Sequence, residues 1–304
     1  MGGEAGGVTG ELPSGVDEWA AQGERVALGP DGEQVWVARL PAERPASGPP
    51  ALLLHGFPTC AYDWRPIVPA LRAERDVVVF DFVGFGLSDK PDRRYGIRLH
   101  ADTAEAVAAH VGLAEVDLVT HDMGDTVGGE LLARSLEGTL PFTVRRRVLT
   151  NGSIYLGMAH LSDGQQALMA LPDARLDLVG ADGGTALRAG LRATMAPGSP
   201  VPESELDALV ALARLRDGQP LLPRTIRYLE DRRAEERRFT GAIERHPSPL
   251  AVVWGDRDPI AVVAMVAELR RARPDVAVTI LDGVGHYPAV EDPARLATAV
   301  LAAL

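Results

Sequence analysis

One cysteine in 304 residues, Cys60, leaves no partner for an intramolecular disulfide and too few thiolates for a structural zinc. Lying just beyond a His55-Gly56 turn, it reads as a small buried apolar residue and not as a nucleophile. Basic residues are in deficit as well: 31 Lys and Arg stand against 42 Asp and Glu, a net charge of -11. That balance opposes binding to nucleic acid or to an anionic membrane surface. No apolar run reaches membrane-spanning length. The glycine-rich start, residues 1–15, has no basic region and no apolar stretch, and Gly6 stands where a myristoylation signal carries Ser or Thr. A cytoplasmic protein is therefore expected. There is no internal repeat, and no Gly-x-Ser-x-Gly anywhere in the chain.

What is present is an ordinary globular composition, 46% hydrophobic and 24% charged. The short apolar runs Ala51–Leu54, Asp76–Asp81, Val116–Thr120, Val144–Asn151, Leu250–Trp254 and Val276–Leu281 alternate with helical patterns such as Leu99–Val111 and Val263–Ala272. Continuous apolar strands between helices predict a parallel sheet covered on both faces, an α/β fold. Glu24–Leu28 and Gln34–Leu40 flank Gly29-Pro-Asp-Gly32 and predict an antiparallel hairpin at one sheet edge. Residues 153–246 contain no buried strand pattern, only helical stretches broken by Gly and Pro. The expected organisation is a flexible segment over 1–23, a core from 24–152 and 247–304, and an inserted helical lid over 153–246. In the lid, Arg224–Phe239 interleaves arginines with Glu230, Asp231, Glu235 and Glu236, which predicts a charge-laced exposed helix.

Chemistry concentrates where strands end. Thr120-His121-Asp122-Met123-Gly124 forms a small-residue turn between a strand and a helix, a geometry that lifts one side chain out beside the first amides of the helix. In most hydrolases built this way the lifted residue is serine in Gly-x-Ser-x-Gly; here it is Asp122. His55-Gly56-Phe57-Pro58, the Gly255-Asp-Arg-Asp258 turn and Gly285-His286 also follow strands. In an open parallel sheet, all strand carboxyl ends face one crevice. The chain order of carboxylate, acid, histidine matches that of α/β-hydrolases.

On these motifs, together with Gly84-Phe-Gly-Leu-Ser-Asp-Lys-Pro91, residues 24–304 resemble the α/β-hydrolase fold. More narrowly, they resemble the branch that holds epoxide hydrolases and haloalkane dehalogenases. The His-Asp-x-Gly-Asp elbow and the lid segment Tyr228–Phe239 look most like the mesoderm-specific transcript group of that branch. The resemblance implies Asp122 as a nucleophile that forms an ester with carbon, and His286 as the base that activates water. It also implies Asp258, in preference to Asp256, as the acid orienting His286. The backbone amides of Phe57 and Met123 would stabilise the oxyanion, and no cofactor or metal is needed. His55 and Trp64 are placed around the substrate pocket, Trp64 as a packed wall; His121 is expected to point away from the nucleophile.

The electrophile is narrowed by what the site does not offer. Haloalkane dehalogenases of the branch resemble one another in a tryptophan after the nucleophile, often with an asparagine in the His-Gly-x-Pro turn. Met123 and Phe57 supply no side-chain N–H for a halide. Haloacid dehalogenases place arginines after the nucleophile, and here Asp125 would repel a substrate carboxylate. Epoxide hydrolases use lid tyrosines as acids. Tyr155, after the last strand before the lid, and Tyr228, in the arginine-rich helix, are the candidates. Tyr62, Tyr95 and Tyr287 are given packing roles. The expectation is a hydrolase acting on a small apolar electrophile, an epoxide first. Haloalkane dehalogenation is the alternative within enzymes, and a non-catalytic fold that binds an apolar ligand under its lid is the alternative outside them. A homodimer is left open.

Overall fold

The computed structural model describes residues 13, 15–172 and 176–304. Eight strands form one sheet: β1 (Glu24–Ala27), β2 (Gln34–Leu40), β3 (Ala51–Leu54), β4 (Val77–Phe80), β5 (Glu115–His121), β6 (Thr143–Thr150), β7 (Leu250–Gly255) and β8 (Ala277–Leu281). Their order across the sheet is β1-β2-β4-β3-β5-β6-β7-β8. The first two neighbouring pairs are antiparallel and the rest are parallel. The hairpin predicted at the sheet edge is β1 and β2, whose register pairs Glu24 with Val37 and Ala27 with Gln34. Strands β3, β4 and β7 are buried along their whole length, as helices on both faces require of continuous apolar runs.

One local expectation changes. Within the segment expected to be flexible, Val16–Ala20 forms a helix, because Val16 and Trp19 are buried and Trp19 packs against Trp36 at 5.4 Å between ring centroids. Residues 1–12 and 14 of that segment lie outside the described residues. After the His55-Gly56 turn, Ala61–Trp64 and Val68–Arg72 form two short helical pieces.

Between β6 and β7 the described residues hold helices and no strand, as the lid reading expects. The arginine-rich helix, Tyr228–Arg245, is not a solvated face, however. Tyr228, Leu229, Arg232, Phe239, Ala242 and Ile243 are buried in it, and it packs along the helix Met123–Leu136 that follows the elbow. Gly129 permits this approach, since a Cβ there would lie 2.9 Å from the Phe239 carbonyl oxygen. Its charges pair inward onto the core: Arg238 Nε donates to Glu130 Oε2 at 2.6 Å, and a second nitrogen pairs with Glu137. The alternation of sign that reads as solvation in the sequence is an interface between lid and core. Arg147 of β6 closes the far end of that helix, donating to the carbonyls of Ile243, His246 and Ser248.

Candidate active site

The site forms where β3, β5, β7 and β8 end. Asp122 stands between β5 and the helix Met123–Leu136 at φ 48° and ψ -114°, a conformation costly for any residue but glycine and kept only where the surroundings enforce it. Two glycines enforce it here. A Cβ on Gly124 would lie 2.5 Å from the Leu54 carbonyl oxygen, and one on Gly56 would lie 2.6 Å from Asp122 Cβ. The elbow and the His55-Gly56 turn thus press together, and the Phe57 N–H donates to Asp122 Oδ2 at 2.9 Å. Met123 opens the helix, where the first amides have no carbonyl one turn earlier to bond. Both expected oxyanion donors therefore stand at the turn that holds the carboxylate.

His286 joins the two acids. Its Nδ1 lies 2.8 Å from Asp258 Oδ2 and its Nε2 lies 3.8 Å from Asp122 Oδ1. Asp258 Oδ1 is fixed by the amides of Ile260 and Ala261 at 2.7 and 3.0 Å. Asp256 points elsewhere and accepts from the Gly283 N–H. The fully buried imidazole loses hydration, which alone would disfavour its charge. The charge and hydrogen bond of Asp258, with Asp122 behind, outweigh that loss and hold it up at about 9.

One contributor is invisible in the motif reading. Asn151, at φ 45° after β6, donates through Nδ2 to Asp258 Oδ2 at 2.8 Å and accepts the Gly255 N–H through Oδ1. It locks the acid that orients His286. Its one sequence signal is its position, an asparagine at a strand end, where the left-handed region is tolerated.

The tyrosines sort differently from expectation. The Tyr155 hydroxyl donates to Glu244 Oε1 at 2.9 Å, tying the lid entry to the long lid helix. With its proton held there, Tyr155 does not serve the site. Tyr228 is 1% exposed, its ring centroid lies 5.9 Å from that of Phe57, and the Asp122 charge adds to burial in pushing its phenol well above the ordinary range. Tyr287, assigned to packing in the sequence, is the second phenol at the site. Burial first, then Asp63 and Asp122, push it up in the same way, and its ring stands edge-on to His286 with centroids 5.1 Å apart. The signal available in the sequence was adjacency to the histidine.

His55 and Trp64 are not substrate contacts. His55 accepts the Phe82 N–H through Nε2 and bonds the Gly56 carbonyl through Nδ1, and burial drives it down to about 3, so it is a neutral brace inside the turn. Trp64 stands edge-on to His121, on the side away from the main cavity. His121 itself bonds the Thr150 carbonyl, turned from the reacting carboxylate as expected.

A cavity of about 530 Å³ runs under the lid to Phe57, His286 and Tyr287. Leu168, Leu187, Leu191, Val179 and Ile260 give it an apolar wall. Asp122 and Tyr228 are not among its lining residues. The described residues contain no cluster of His, Cys, Asp and Glu suited to a metal, and no helix long and apolar enough to cross a membrane.

An elbow, a histidine held by an acid and a lid, on a sheet of this order, define an α/β hydrolase. The chain belongs to the alpha/beta hydrolase fold family, whose model matches residues 49–293. Among its relatives are a putative hydrolase, LipZ, of Mycobacterium tuberculosis, 40% identical over 86% of this chain and 90% of that one, and the human mesoderm-specific transcript homolog protein, 34% identical over 80% and 74%. The solved epoxide hydrolase CorEH shares the fold with a TM-score of 0.74 at 18% identity, covering 92% of this chain and 97% of that one. Haloalkane dehalogenases also appear among both relatives and structural neighbours.

Proposed function

We propose that this hydrolase opens epoxides to vicinal diols through a covalent ester on Asp122. The observation that carries the reading is the elbow carboxylate itself, held by the Phe57 amide and 3.8 Å from His286 Nε2, with its charge acting on the buried Tyr228 and Tyr287 phenols. A carboxylate needs no base to attack carbon. Asp122 forms the new C–O bond as the epoxide C–O bond breaks, and the ring oxygen takes its proton from Tyr228. His286 then removes a proton from water, whose oxygen adds to the Asp122 carbonyl carbon while Phe57 and Met123 amides hold the oxyanion. Collapse releases the diol, which takes the proton from His286. The regenerated Asp122 carboxyl gives its own proton back to the phenolate. No cofactor enters this sequence.

The apolar cavity favours a small to medium apolar epoxide. A second reading, haloalkane dehalogenation, is favoured by the names of relatives 29% identical or more. It lacks halide donors here: Met123 and Phe57 offer no side-chain N–H, and the Trp64 indole faces a separate void beside His121. Single turnover in heavy-oxygen water tests the proposal. Label is expected in the Asp122 carboxylate and not in the diol of that first turnover; label in the diol alone would mean direct attack by water, and halide release from a haloalkane panel without diol formation would favour the second reading.

A further inference from the structure

We propose that Arg232 is a positioning residue for the acid: it donates a hydrogen bond to the Tyr228 phenol oxygen and stabilises the negative charge left there when the proton goes to the epoxide oxygen. The inference rests on the function proposed above.

Tyr228 and Arg232 are one turn apart on the same lid helix, so their side chains lie on one face. Both are buried, at 1% and 4% exposure, and Arg232 acts to lower the Tyr228 phenol against the effect of burial. A guanidinium cannot shed its charge, so burying one requires acceptors around it. Behind Arg232 stands Asp125, one turn into the elbow helix. The two residues line a common void of about 10 Å³, room for one bridging water. Asp125 Oδ1 takes the Thr120 hydroxyl, while its Oδ2 has no hydrogen-bond partner. Gly152 keeps that oxygen free of a neighbour, because a Cβ there would come within 2.0 Å of it. Asp125 and Arg232 thus share one small void, and Arg232 lies one helical turn from Tyr228.

The direction of the electrostatics agrees. Burial and the Asp122 charge make the Tyr228 phenol a poor acid, and the Arg232 charge acts against both. In the ring-opening step the Asp122 negative charge is consumed by the new C–O bond as the phenolate charge appears. Arg232 favours that product, and it has no part in the later attack of water.

The test separates the two half-reactions in single turnover with styrene oxide, following ester formation and ester loss by rapid quench and peptide mass analysis. Arg232→Met is expected to slow ring opening roughly tenfold or more, a share of the 10²–10⁴ that general acids supply, and to leave ester hydrolysis within about twofold. Arg232→Lys should recover part of the loss. In a Tyr228→Phe background the same substitution should change ring opening by less than about twofold, because the residue acts through the phenol. If Arg232→Met does not fold, Asp125→Asn/Arg232→Met removes the unpaired acid as well and carries the same test. Equal slowing of both half-reactions, or an undiminished effect without the phenol, overturns the assignment of Arg232 alone. A wild-type enzyme that opens no epoxide overturns the proposed function and this inference with it.

Discussion

Replacing His286 by glutamine should trap the ester. The imidazole is the one base that the geometry brings to the reacting carboxylate, Nε2 at 3.8 Å from Asp122 Oδ1 with Nδ1 tied to Asp258 at 2.8 Å. Glutamine keeps a polar side chain of similar reach and cannot take a proton from water. Loss of a general base costs roughly 10²–10⁴-fold, about 3–5 kcal/mol, and it falls on hydrolysis alone. Ring opening keeps Asp122 and Tyr228. If the two steps run at comparable rates in the wild type, about half of the enzyme is esterified during turnover, and a 10²-fold slower hydrolysis raises that to ~99%. The assay is intact-protein mass after mixing with an epoxide that the wild type consumes, then peptide mapping of the adduct to Asp122. Recovery of unmodified variant protein from such a mixture refutes the two-step route.

Tyr155→Phe should leave kcat unchanged and cost about 1 kcal/mol of stability in urea unfolding, since it loses only the hydrogen bond to Glu244. A drop in kcat comparable to that of Tyr228→Phe would restore Tyr155 as an acid. Arg147→Met strands the buried Ile243 and Ser248 carbonyls at the lid's return to the core, while the His246 carbonyl keeps Arg273, so at roughly 1 kcal/mol each a loss of about 2 kcal/mol is expected in thermal unfolding. An unchanged Tm would show that the lid is held elsewhere. The two half-reactions should differ in pH dependence: in single turnover below pH about 9, ring opening is flat with respect to His286, and ester hydrolysis rises with pH to a midpoint below that value. A hydrolysis midpoint at or above 9 would show that the Asp122 charge does not reach the imidazole.

The core of this molecule was legible because its signals are local. The apolar runs at 51–54 and 250–254 are wholly buried strands, and the glycines at 56 and 124 betray a turn whose backbone meets another backbone. Asp122, Asp258 and His286 could be aligned because strand ends in a parallel sheet converge by topology. What failed depends on which face of an element is covered. Glu230 to Glu236, interleaved with arginines, has the same pattern on a solvated helix as on one whose charges pair with Glu130 and Glu137 across an interface. Tyr155 and Tyr228 both belong to lid positions, but only the packing angle of the lid decides that the Tyr155 hydroxyl meets Glu244 while the Tyr228 ring packs against Phe57. Asn151 and Tyr287 were missed for a related reason: each is a residue one place beyond a recognised feature, and its side-chain direction follows from backbone geometry that no spacing rule carries.

The charges at the site also order the steps. In the resting enzyme His286 lies between two carboxylates, and their pull outweighs the burial penalty and favours its charged form. In the proposed cycle a proton held on the ring keeps it from acting as a base before the ester forms. Alkylation turns Asp122 into a neutral ester. That removes one of the two charges holding the proton on His286, while burial continues to disfavour the cation. The proton is then released more readily, and the imidazole becomes a base at the point in the cycle when an ester is present to be hydrolysed. Asp258, clamped by Asn151 and two amides, keeps the ring aimed throughout. In the proposed cycle a carboxylate nucleophile thus does more than supply an attacking oxygen: its own neutralisation is the signal that switches the histidine on, a coupling that a serine elbow, neutral before and after acylation, does not have.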